Sequence, residues 1–172
     1  MAAQDFSIAI IGAGIGGLAA AAALRLVGVE VRIYEQARAF ARIGAGIQQA
    51  PNSIRVLRRL GLEGKLNEIA FRPYSALNRK SDTGEVTWER MLGADAEKSY
   101  GAPYFLLHRG DLHEALASVV TTDIIERNRK LVSLTQSDDA VTLNFEDGPP
   151  VNADFVIGAD GVHSVVRESL FG

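Results

Sequence analysis

The chain has 172 residues, 47% of them hydrophobic and 23% charged, which excludes a disordered segment and is enough for one domain with a real core. A net charge of −3, with lysines and arginines scattered, argues against a nucleic-acid surface or a patch for anionic membranes. The absence of cysteine removes disulfides, thiolate metal ligands and a cysteine nucleophile, and suits a reducing, cytoplasmic setting.

The opening "MAAQDFS" carries an acid and no base, so the apolar stretch after it lacks the basic lead of a signal peptide. In "IAIIGAGIGGLAAAAALRLVGV" the glycine cluster and Arg25 also make a poor membrane span. The stretch predicts a buried strand from Phe6 to Ile11, a glycine turn, and an alanine-rich helix ending at Gly28. "VEVRIYEQ" follows as a second strand of alternating character. Together they form a βαβ unit, which requires a parallel sheet with a right-handed crossover. After a loop, Pro51 or Asn52 starts a helix whose Ile54, Leu57 and Leu60 share one face. "YSALNRKSDTGEVTWER" predicts a hairpin turning at Asp82 to Gly84, with Tyr74 and Trp88 as packing residues. "PYFLLHRGDLHEALASVV" reads as a strand and then a helix starting near Arg109 or Gly110. From Lys130 onward come two hairpin strands and a third, buried strand at Phe155 to Ile157. The fold class is therefore α/β: a Rossmann-like parallel core with inserted antiparallel β-hairpins.

The first turn carries the chemistry. "GAGIGG" places Gly12, Gly14 and Gly17 in the G-x-G-x-x-G pattern, with Gly16 inside it as a further cofactor-binding position. Gly12 permits the tight turn, Gly14 lets the backbone approach a pyrophosphate, and Gly17 lets helix and strand pack closely. The diphosphate then meets the positive end of the helix. Alone the pattern is weak; here a strand precedes it, a helix follows, and Glu35 ends the next strand at the spacing of a ribose-binding acid. Such an acid repels a 2′-phosphate, which disfavours NADP and leaves both FAD and NAD open at this site.

His108, His113 and His163 have no metal-ligand spacing, so no metal site is expected. His163, beside the "GADG" turn, is expected to shape the start of the last helix. Ser164 lacks the glycine-flanked elbow of a hydrolase nucleophile.

With these motifs in place, the chain resembles the flavin-dependent aromatic hydroxylases, the group that includes the hydroxybenzoate, salicylate and 6-hydroxynicotinate enzymes. The resemblance runs through "YEQARAFARIGAGIQQAPNSIRVLRRLGL", "HRGDLHEAL" and "VIGADGVHSVVRESLFG". It implies an FAD-binding fold, NAD(P)H as co-substrate, and oxygen-dependent hydroxylation of a small aromatic or N-heteroaromatic ring. It also implies roles at matching positions. Glu35 holds the adenosine ribose, with Gln36 and Ala37 beside the adenine end and Leu131 near the adenine through its backbone. Arg109 reaches the flavin side of the cofactor. Ile47 and Gln48, in the segment Gly44 to Gln49, lie closest to the isoalloxazine. Asp160 and Gly161, in the "GADG" turn, support FAD and the approach of NAD(P)H. The hydroxynicotinate members carry histidine where this chain has Gln48.

Two of these positions have plainer readings. Arg109 suits phosphate or sugar oxygens, yet also a surface pair with Asp111 or Glu114. Asp160 is equally a residue of an ordinary turn. The family is more than twice this long and carries a second flavin-binding signature that has no counterpart here. Residues 1–172 are therefore expected to be an FAD-binding domain, the N-terminal part of a larger flavoprotein, with a missing C-terminal half or self-association covering its exposed apolar surface. The alternative is a dinucleotide-binding module, for NAD or FAD, that does no chemistry or is completed by a partner.

Overall fold

The structure, a computed structural model, describes residues 6–41 and 44–172. The opening residues 1–5, read above for a signal-peptide lead, lie outside the described residues, as do residues 42–43 of the resembling stretch. The chain divides into an outer unit, residues 1–41 with 116–172, and an inserted unit, residues 42–115.

The outer unit begins with β1 (Ile8–Ile11), α1 (Ile15–Leu26) and β2 (Val31–Glu35). It resumes with β7 (Ile125–Arg127), β8 (Leu131–Gln136), β9 (Val141–Phe145), β10 (Val151–Ala153), β11 (Phe155–Gly158) and α6 (Val165–Phe171). Strands β11, β1, β2 and β7 form a parallel sheet in that order, with Ile8 opposite both Phe155 and Val31. This is the parallel core expected from the βαβ pattern. β8, β9 and β10 make a separate antiparallel sheet. Alternation along β1 divides its side chains between two faces. Ala9 and Ile11 join Tyr34, Leu131, Leu143, Phe145 and Val166 in one buried cluster that unites both sheets with α6. Ser7 and Asp154 fasten the start of β1 to the approach of β11. The amide and hydroxyl of Ser7 each donate to Asp154 Oδ2 at 2.7 Å. These bonds hold the Asp154 carboxyl below its ordinary value, the hydroxyl bond contributing most.

β11 departs from the expectation of a buried strand. It takes an edge of the parallel sheet, and Phe155 is 54% exposed, its ring edge-on to that of the similarly open Phe6 at 5.6 Å. An edge position covers one side of a strand and leaves the other open, whatever its hydrophobicity.

The inserted unit contains β3 (Gly46–Gln49), α2 (Pro51–Arg59), α3 (Glu63–Ile69), β4 (Ser75–Arg79), β5 (Val86–Met91), α4 (Ala94–Tyr100) and β6 (Phe105–His108). α5 (Arg109–Val119) starts here and ends in the outer unit. At nine residues α2 is too short to persist alone in water. Burial of Ile54, Leu57 and Leu60 stabilises it, at roughly 1.5–3 kcal/mol per large side chain. Arg58 fastens α2 to its neighbours, pairing with Glu63 at 2.8 Å and with Glu97 of α4 at 3.4 Å. The β4–β5 hairpin forms with its turn where expected, but its aromatic residues do not pack. Tyr74 is 74% and Trp88 48% exposed, and all of β5 is open, since a two-stranded ribbon buries little of its own side-chain surface.

Candidate nucleotide site

The glycine turn follows from its contacts. Gly12 has φ +101°, a region that side chains disfavour, and a β-carbon on it would lie 2.4 Å from the Ala159 carbonyl oxygen. A β-carbon on Gly17 would lie 1.9 Å from the Gly12 carbonyl oxygen, so α1 sits against the turn at a distance only glycine allows. Gly14 and Gly16 are different. Nothing lies within 4 Å of a β-carbon built on either, so their sides of the turn face open space. Gly14 is the N-cap of α1, and no side chain caps it; no acid stands in the first turn. The first helical bond runs from the Leu18 amide to the Gly14 carbonyl at 2.9 Å, which leaves the amides before it directed out of the helix end. An anion with several oxygens suits this arrangement.

Glu35 closes the turn from the side. Its Oε2 accepts from the Ala13 amide at 2.7 Å and its Oε1 from the Ala37 amide at 2.8 Å. The carboxylate is thereby fixed, and each oxygen retains capacity for another donor such as a sugar hydroxyl. Next to it runs the segment before β8. The Arg129 amide donates to the Glu35 carbonyl at 2.8 Å and the Asn128 amide to the Ala37 carbonyl at 3.3 Å. Asn128 adopts φ 57° to make this approach. Glu35, Gln36, Ala37 and the backbone leading to Leu131 are thus brought together. The Leu131 side chain itself points into the core, 5% exposed.

The "GADG" turn lies beside the glycine turn. The Ala159 amide donates to the Ile11 carbonyl at 2.8 Å, and Gly161 has φ +87°. The Asp160 carboxylate is taken up locally: it accepts from the Ser164 hydroxyl at 2.6 Å and from the amides of Val165 at 2.8 Å and Val166 at 3.3 Å. Ser164 in turn accepts from the Arg167 amide at 3.0 Å. Asp160 and Ser164 therefore shape the start of α6. His163, expected to do so, is exposed, and the amides at the start of α6 go to Asp160 and Ser164 instead.

The two turns stand at the carboxyl ends of β1 and β11, with β2 on the other side of β1. The chain leaves β1 toward one neighbour and reaches its other neighbour later, so the order reverses there, the point where open α/β sheets bind ligands. A cavity of about 360 Å³ lined by Phe6, Val31, Tyr34 and Val151 lies at the opposite, amino ends of the strands and has no such turn.

In the inserted unit, β3 is a strand where a loop was expected. Its partner is β6, with Ile47 opposite Leu107 and Gln48 opposite Leu106. The Gln48 side-chain carbonyl accepts from the Tyr104 hydroxyl at 2.5 Å, a partner that nothing in the local pattern announced. Arg109 stands at the β6–α5 junction, and its amide donates to the Ala45 carbonyl at 3.0 Å. Its side chain packs so closely on Gly44 that a β-carbon there would lie 3.1 Å from Arg109 Cβ. His108 completes this corner. Its Nδ1 accepts from the Gly110 amide at 3.0 Å, so the ring proton is on Nε2 and is donated to the Gly44 carbonyl at 3.0 Å.

Among the described residues no group of three His, Cys, Asp or Glu is placed to hold a metal, and no helix is long and apolar enough to cross a membrane.

A family model described as "FAD binding domain" matches residues 5–171. The 3-amino-4-hydroxybenzoate 2-monooxygenase of Streptomyces cremeus is 44% identical over 167 residues, covering 97% of this chain and 42% of that protein. The 6-hydroxynicotinate 3-monooxygenase of Bordetella bronchiseptica is 42% identical over 165 residues, covering 96% and 43%. HpxO of Klebsiella pneumoniae, solved with FAD and uric acid, superposes with a TM-score of 0.82 at 29% identity, covering 94% of this chain and 41% of that one. The chain spans less than half the length of these relatives.

Proposed function

Since this chain belongs to the FAD binding domain family, we propose that its 172 residues are the FAD-binding domain of a monooxygenase that hydroxylates an aromatic or N-heteroaromatic ring. The open backbone at Gly14, beside a Glu35 carboxylate already fixed by two amides, carries this reading. The residues present fit the dinucleotide. Gly12, Gly14, Gly16 and Gly17 form the diphosphate cradle at the positive end of α1. Glu35 accepts from the adenosine ribose, and Gln36, Ala37 and the Leu131 backbone border the adenine. Arg109, Ile47 and Gln48 are assigned to the flavin side on the resemblance. Asp160 acts by holding the start of α6, which fixes the turn through Gly161 next to the cradle.

When bound, FAD would supply the redox chemistry that links NAD(P)H to oxygen. The overall balance is one ring C–H, one oxygen molecule, NAD(P)H and a proton giving ring C–OH, water and NAD(P)+. The names of the two relatives, an aminohydroxybenzoate and a hydroxynicotinate monooxygenase, support an aromatic acid as substrate.

The test uses the protein purified from its own cells and supplied with FAD, NADH or NADPH, oxygen, and a panel of hydroxybenzoates and hydroxypyridine carboxylates. Hydroxylated product formed in step with the reduced nicotinamide consumed is the expected result. FAD uptake without product from any ring would leave the alternative, a dinucleotide-binding module that does no chemistry.

A further inference from the structure

Tyr34 of β2 is only 4% exposed, yet its hydroxyl has no hydrogen-bond partner among the described residues. The ring itself is well packed: it meets Phe145 with centroids 4.9 Å apart, and the Arg129 guanidinium lies over it at 5.8 Å. A buried tyrosine hydroxyl ordinarily finds a partner, because one left unpaired away from water is costly. Burial, reinforced by Glu126 and opposed by Arg129 and Arg32, pushes this hydroxyl above its ordinary value, so it stays protonated and able to donate.

Tyr34 lines the cavity of about 360 Å³ at the amino ends of the strands, within the range of small-molecule pockets. Phe6, Val29, Val31 and Val151 give that cavity an apolar wall. The Ser7 hydroxyl there is committed to Asp154 Oδ2, and Asn152 is exposed and accepts from Thr142 at 2.9 Å. Glu30 and Arg32 supply one charge of each sign, which selects neither an anion nor a cation. A charged ligand would also lose its hydration against the apolar wall.

We propose that this cavity binds a small, neutral, largely apolar molecule with one oxygen acceptor, an alicyclic ketone being the simplest case, its oxygen accepting from the Tyr34 hydroxyl. The inference stands on the cavity and does not depend on the flavin reading.

Cyclohexanone is the probe, titrated into the folded protein without added FAD and followed by the resonances of labelled tyrosine rings and valine methyl groups. Tyr34 is the only tyrosine of the outer unit, so saturable binding should shift its ring and leave Tyr74, Tyr100 and Tyr104 in place. Tyr34→Phe should weaken cyclohexanone by about two- to tenfold, the range of one neutral hydrogen bond, while cyclohexane binds both proteins alike. Val29→Trp, which places a ring in the cavity from a position outside the strands, should abolish binding. Circular dichroism checks that both variants fold. Cyclohexylammonium, of similar shape but charged, should not compete. No saturable shift at Tyr34, unchanged cyclohexanone affinity in folded Tyr34→Phe, retained binding in folded Val29→Trp, or competition by cyclohexylammonium would each overturn the proposal. Gly14→Val, expected to lose FAD, should bind cyclohexanone normally, so failure of this proposal is distinct from failure of the flavin reading.

Discussion

The amide of Ala13 donates to Glu35 Oε2 at 2.7 Å, tying the end of β2 to the turn that leaves β1. With the second bond from Ala37, the carboxylate is held in place before any ligand arrives. Its loss acts on two amides, which lose their acceptor, and, on the proposed role, on the ribose of FAD. Glu35→Ala is expected to weaken FAD binding by about tenfold or more, from the 1.5–3 kcal/mol typical of bonds to a charged group. Calorimetric titration with FAD measures this. An unchanged affinity in a folded variant removes the ribose role.

Gly14 and Gly17 should fail in opposite ways. A β-carbon on Gly17 meets a backbone oxygen at 1.9 Å, so Gly17→Ala should destabilise the protein by about 3 kcal/mol, near the upper end for overpacking. A β-carbon on Gly14 meets nothing, so Gly14→Val should keep the fold to within about 1 kcal/mol, the scale of a capping change. If this open space is the proposed diphosphate cradle, the side chain fills it and FAD binding should be abolished. Urea melts and FAD titration of both variants separate the two effects; normal cofactor binding by Gly14→Val would make the turn structural only.

Asp160→Ala frees the Ser164 hydroxyl and the amides of Val165 and Val166 at the start of α6. A stability loss of about 0.5–2 kcal/mol is expected even with no cofactor present, as for the removal of a helix cap. Equal denaturation midpoints for the two proteins without FAD would show that the carboxylate does not serve the fold.

Asp154 gives the fold a pH dependence. Its carboxyl titrates below the ordinary 3.8 in the folded protein, through the hydroxyl and amide of Ser7. The folded state therefore favours the charged form. Its contribution is complete above pH 3.8 and is lost as pH falls through the lowered folded value. Asp154→Asn should melt below the wild type at neutral pH, and the gap should close only on acidification below 3.8. A gap that stayed constant through that window would show that the Ser7 bonds do not depend on the charge.

Much of this was legible because it is local. The apolar run before Gly12, the spacing from Gly12 to Gly17 and the acid at Glu35 fix a strand, a turn, a helix and a second strand with few alternatives. Each constraint acts between neighbours or across one crossover. The β4–β5 hairpin was legible for the same reason, its turn residues standing between two short strands. The resemblance to the flavin hydroxylases is borne out by the family match and by relatives over 40% identical across nearly the whole chain.

What escaped depended on partners far away in the chain. β3 has four residues and no period of its own to read, and it is a strand because Gly46 to Gln49 meet His108 to Phe105. β11 looked buried from its composition, yet its place at the sheet edge leaves Phe155 open. The carboxylate of Asp160 could have served a ligand or a helix, and the position of Ser164 and the α6 amides settles its present partners. Tyr34 and Val151 show no relation in sequence, since β2 and β10 converge on one cavity only when the outer unit folds. Backbone sterics and hydrophobic period are written residue by residue, and they determined the nucleotide-binding core. Burial and side-chain convergence depend on what packs against each element, and that became fixed only when distant segments met.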